Sequence, residues 1–90
     1  MDKIELRPEV QKFAEAMELL LRANEHKTSW KICQQNYLLR KMIGNADALE
    51  GALRRSDKAA ILRRAVNVAN FAMMIVDNAG GLDYEYGGDA

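Results

Sequence analysis

Apolar residues recur along this chain at three- and four-residue spacing in three separate blocks, with polar residues between them. In the first block Val10, Phe13, Ala14, Met17, Leu20 and Leu21 fall on one stripe, with Glu9, Glu15 and Glu18 off it. That is the pattern of an amphipathic helix with one buried face. Pro8 suits its first turn, where the missing N–H has no intrahelical partner to lose, and the pattern fades near Asn24. Glu25 to Lys31 is polar apart from Trp30 and reads as a connecting loop. A second helical block follows through Tyr37, Leu38, Met42, Ala46, Leu49 and Leu53. It contains Gly44 beside Asn45, so the sequence predicts either a kink there or the close approach of another backbone. Ser56 and Asp57 supply a hydroxyl cap and an acid at a helix start. The third helix runs from there to about Asn78, and Gly80-Gly81 ends it.

The third block differs from the others. From Val68 to Val76 it is apolar on nearly every side, so it calls for cover all round, by this chain and by a second copy. No stretch alternates with the period of a strand. The expectation is therefore an all-α chain: a three-helix bundle over residues 1–81, completed by dimerisation, with a flexible tail at 82–90. The tail carries Asp83, Tyr84, Glu85 and Tyr86 without periodicity, and reads as a mobile arm or an interaction arm.

Composition narrows the function. Ninety residues hold one small domain, whose own core gives marginal stability; pairing with other copies, as a dimer or a dimer of dimers, is the common remedy. Thirteen basic and thirteen acidic residues balance, so no overall field favours nucleic acid or membrane. No apolar run approaches the roughly 20 residues of a membrane span. The one cysteine, Cys33, has no internal partner, and with no leader of signal type the expected compartment is a reducing cytoplasm. Cys33 has no histidine placed to activate it. His26 lacks any second ligand at zinc spacing. Arg54, Arg55, Arg63 and Arg64 cluster around the second connection, either to steer an anionic partner or as a solvated face favoured by the helix dipole. Lys27, Trp30 and Lys31 form an aromatic with flanking cations. That set would stack a base and hold a phosphate, or Trp30 would plug the end of the bundle.

Three stretches carry a resemblance: Leu6-Arg7-Pro8-Glu9-Val10, His26-Lys27 with Trp30-Lys31, and Val68-Ala69-Asn70-Phe71-Ala72-Met73-Met74-Ile75. Together, over about Leu6 to Leu82, the chain resembles short all-α nucleoside triphosphate pyrophosphohydrolases of the MazG type, of the kind met in bacteriophage and prophage. Members of that family cleave triphosphates to monophosphate and pyrophosphate. A Glu-x-x-Glu pair on one helix and a Glu-x-x-Asp pair on the next hold magnesium, a hard cation that takes oxygen ligands.

Here the matching positions are Asn45 and Ala48 on the second helix and Arg64 and Asn67 on the third. None is an acid. The resemblance thus implies a retained fold without its metal site: a pseudo-enzyme with no cofactor, acting by binding. Asn45, Arg64, Asn67 and Asn70 would hold a nucleotide-like anion directly, since a guanidinium forks onto phosphate. Alternatively Arg64 pairs with Asp47 or Glu50 and knits the bundle together. A phage setting would suit an inhibitor of host defence, or a host-takeover protein that binds a host partner. Two competing readings are an active pyrophosphohydrolase with a rearranged site built on Asp47 and Glu50, and a purely structural helical oligomer.

Overall fold

A computed structural model describes residues 4–25 and 29–83. Among them there are three α-helices and no strand: α1 (Pro8–Ala23), α2 (Gln35–Arg54) and α3 (Lys58–Asn78). Short 3-10 turns occupy Trp30–Ile32 and Gly81–Asp83. The chain is an all-α three-helix bundle. Its expected tail begins within the second 3-10 turn, and 84–90 lie outside the described residues.

Three of the helix boundaries have a local cause. Pro8 opens α1 at its first turn. Between α2 and α3 the cap differs from the expected one. Asp57, not Ser56, is the N-cap, and its Oδ1 accepts from the Ala60 N–H at 3.1 Å. Ser56 instead takes a left-handed backbone, φ 54°, to turn the chain. Gly80 ends α3 with φ 78°, the conformation that glycine adopts without a Cβ penalty.

Gly44 does not break α2, and among the described residues of this chain no other backbone approaches it. The helix runs unbroken through it, and a Cβ built there would meet nothing within 4 Å. Asn45 instead returns its Nδ2 to the Lys41 carbonyl at 2.9 Å, within the helix.

The hairpin of α2 and α3 is the body of the molecule. α3 packs along α2 and more lightly against α1, while the backbones of α1 and α2 stay apart. Leu38, Asn45 and Ala52 recur at seven-residue spacing on the buried face of α2, and Ala60, Val66 and Asn70 are the buried residues of α3. α1 fully buries none of its side chains; Phe13, Met17, Leu20 and Leu21 are half-buried along its inner face and Val10 is exposed.

The apolar second half of α3 is therefore not covered all round within one chain. α3 also has the length and composition of a membrane span, with a mean hydropathy of 1.4 over its most apolar window. This corrects the expectation that no run comes near one. Alanine and methionine add to the average without forming an unbroken aliphatic run, and only 17% of that window is buried against the rest of the chain.

Candidate functional site

The four positions matched to the family's acids lie where α2 and α3 face each other, and three of them converge. The Asn45 side chain, on a residue 9% exposed, points from α2 toward α3. Its Oδ1 accepts two hydrogen bonds, from Arg64 Nη1 at 3.2 Å and from Asn67 Nδ2 at 3.1 Å. Arg64 and Asn67 are three apart on α3, so one face presents both to the same oxygen. The amide orientation of Asn45 is fixed at both ends: Nδ2 needs the Lys41 carbonyl and Oδ1 needs the two donors. Ala48 lies one turn along α2 and is half-buried.

Arg64 therefore does not pair with Asp47 or Glu50. Glu50 accepts from Arg54, one turn on, at 2.8 Å, and no carboxylate bridges to Arg64 among the described residues. The physical reason is helical phase: Asn45 belongs to the buried stripe of α2, whereas Asp47 and Glu50 stand on its exposed side.

Beside this polar node a cleft of about 570 Å³ opens between α1 and the hairpin. Asn67, Asn70, Phe71 and Met74 of α3, Leu38 and Lys41 of α2, Leu21 of α1 and Trp30 line it, together with the carboxylates Glu18, which is paired with Arg22 at 2.9 Å, and Glu25. Asn67 thus belongs to both the node and the cleft wall. Lys41 also joins them, through its carbonyl to Asn45 and through its side chain, which lies 6.0 Å from the Tyr37 ring.

Asn70 stands apart from the node. It is buried at 4% exposure, and its Nδ2 donates to the Met17 carbonyl of α1 at 3.2 Å. The sequence placed it one turn beyond Asn67 as a ligand donor, but here its N–H serves the α1–α3 contact.

Trp30 and Lys31 meet at a residue that the sequence did not single out as a partner. Trp30 Nε1 donates to Asp77 Oδ2 at 2.9 Å, and the Lys31 ammonium pairs with the same oxygen. Asn78 Nδ2 donates to the Trp30 carbonyl at 2.8 Å, and Gln35 Nε2 to the Ile75 carbonyl at 3.0 Å. These bonds latch the 3-10 turn and the start of α2 onto the C-terminal end of α3. Hydrogen bonds from Lys31 first and Trp30 second hold the Asp77 carboxyl below its ordinary range.

Trp30 is half-buried, tied by Asp77 to the C-terminal end of α3, and also lines the cleft. The Lys31 ammonium is committed to Asp77 and lies 5.9 Å from the Trp30 ring. Lys27 and His26 lie outside the described residues. Cys33 is half-buried at the cleft wall, its Sγ directed at the Ser29 carbonyl at 3.7 Å.

Asp77, Asn78 and Gln35 are the residues that sequence reasoning missed. Each bonds across 40 or more positions, and no local pattern encodes such a pairing. Among the described residues no three side chains of Asp, Glu, His or Cys gather closely enough to hold a metal ion. No protein-family model matches the chain, and neither does any curated protein or solved structure.

Proposed function

We propose that this chain is a catalytically degenerate, MazG-like protein that acts by binding a nucleotide-like anion in the cleft beside the Asn45–Arg64–Asn67 node. The observation that carries the reading is the node itself. Three of the four positions that would hold magnesium in the resembled family converge, but on a shared amide oxygen in place of a shared cation. Asn67 is the member of the node that lines the cleft; behind it, an arginine with one N–H anchored on Asn45 keeps further donors, and its charge persists at any physiological pH. The apolar and aromatic cleft walls suit a base or a similar flat group. Lys41 at the rim adds a second positive charge.

Calorimetric titration with nucleoside mono-, di- and triphosphates and cyclic nucleotides, with and without magnesium, tests this directly. Metal-independent binding without hydrolysis, lost in Arg64→Ala while the assembly mass is unchanged, is the expected result. Magnesium-dependent turnover would instead favour the rearranged-enzyme reading.

A second reading is favoured by a separate observation. Among the described residues twelve large apolar side chains are exposed, Leu39, Ile43, Leu62 and Val76 among them. On α3, Leu62, Ala65, Ala69, Ala72 and Val76 form one uncharged stripe at alternating three- and four-residue spacing, the seam geometry of packed helices. A second copy applied to the same stripe would make a self-complementary dimer. That assembly is compatible with the cleft. In a phage setting it would give a cytoplasmic inhibitor with two ligand sites, or a platform for a host protein.

A further inference from the structure

Asn70 presents two amide atoms with opposite fates. Its nitrogen donates to the Met17 carbonyl at 3.2 Å. A carbonyl can only accept, so the amide cannot be turned round, and Oδ1 is fixed on the other side. That oxygen is closed to solvent and has no hydrogen-bond partner among the described residues. Buried amide oxygens in native cores nearly always have a donor, and an exception calls for a reason.

Two further facts bear on that reason. Asn70 lines the cleft together with Asn67, Phe71, Leu38 and Trp30. The opposite wall is α1, which fully buries none of its side chains and packs on α3 more lightly than α2 does, the features of an element with low local stability.

The geometry points to Asn70 Oδ1 as the acceptor that selects the ligand: a flat heteroaromatic ring bearing an N–H donor, seated in the cleft against Phe71. This rests on the cleft-binding reading above and adds which part of the ligand is recognised there and by which atom. A small outward shift of α1 admits the ring edge to Oδ1. Because the same amide holds Met17 through Nδ2, an occupied Oδ1 ties ligand and α1 to one side chain. Binding then orders α1. A buried acceptor left unmatched also discriminates strongly against rings that lack the donor.

The test titrates the wild-type chain, without magnesium, with AMP, CMP, GMP and UMP, and with counterparts whose base N–H groups are replaced by N-methyl. The parent nucleosides are included. At least one nucleotide is expected to bind, and its methylated counterpart to bind about tenfold more weakly or worse. The methylation penalty should vanish in Asn70→Leu. Amides of Pro8–Ala23 should gain hydrogen-exchange protection in the wild-type complex, a readout that does not depend on the variant folding.

Equal affinities for parent and methylated forms would overturn the role of Asn70 and leave the cleft reading standing. That role is equally overturned if the penalty persists in Asn70→Leu, since size alone would then explain it. Nucleosides binding as tightly as nucleotides would support Asn70 and remove the anion from the reading. No binding by any of them to millimolar concentration would overturn both.

Discussion

Asn45 satisfies two donors from α3 with one oxygen, and its own nitrogen turns back to Lys41. Asn45→Leu keeps the volume roughly constant and removes the acceptor, stranding the half-buried Asn67 amide; the Arg64 end can reach water more easily. A loss of about 1–3 kcal/mol is expected from an orphaned donor of this kind, measured by urea denaturation. Adding Asn67→Leu should recover part of it, because removing both partners costs less than removing one. Asp77 offers a second test. Its carboxyl is held below its ordinary value by hydrogen bonds from Lys31 and Trp30, so the unfolded chain takes up its proton first as pH falls. The stabilisation is present above the ordinary carboxylate value, near pH 4, and is lost as pH drops through the lower folded value. Trp30 is the only tryptophan, so an acid titration of its fluorescence should show this loss, and Asp77→Asn should flatten the profile. The contrast between these two clusters explains what the sequence made legible. Arg64 and Asn67 are three apart, and Asn45 lies on the facing helix, so helical spacing alone brings them near each other. Trp30 reaches Asp77 across 47 positions and Asn70 reaches Met17 across 53, and such partners are set by how whole helices dock.

Helix boundaries are readable because caps and breakers act locally. Pro8 and Gly80-Gly81 mark α1 and α3 where the sequence placed them. The Ser56-Asp57 pair locates the start of α3 but not its chemistry: either side chain could cap, and the left-handed Ser56 leaves Asp57 as the residue that reaches Ala60 N–H. Gly44 differs from its expected role for a related reason. Glycine inside a helix signals a kink, a close approach or neither, and only the surroundings decide. Here a Cβ meets nothing within 4 Å on an exposed position of an unbroken helix. Gly44→Ala should therefore stabilise the fold by about 0.5–1 kcal/mol, and raise Tm by roughly 4 °C in a domain of this size. Calorimetry checks it. A fall in Tm together with a change in assembly mass would mean that another chain's backbone packs against this position.

At the scale of the whole molecule, four buried apolar residues and two buried asparagines among the described residues make a small core for three helices, and the uncovered half of α3 is the natural place for more burial. Leu62 is 51% and Val76 41% exposed, at the two ends of the α3 stripe. If a second copy covers that stripe, Leu62→Glu with Val76→Glu places charges from both copies in the shared seam. Light scattering should then fall from at least twice the 10.1 kDa chain mass to a single chain, with helicity by circular dichroism reduced in parallel. A more demanding test joins assembly to chemistry. Asn45→Glu, Ala48→Glu, Arg64→Glu and Asn67→Asp together would place at these positions of α2 and α3 the acids of the resembled family, replacing an amide-centred node with one suited to a hard cation. The reverted chain should bind magnesium by calorimetry and, if the rest of the resembled site is retained, hydrolyse a nucleoside triphosphate that the parent only binds. Magnesium binding without hydrolysis would mean that the cleft has diverged beyond its metal ligands. If the reverted chain folds but takes up no magnesium, the two helices face each other in a register different from the family's, and the pseudo-enzyme reading falls with it.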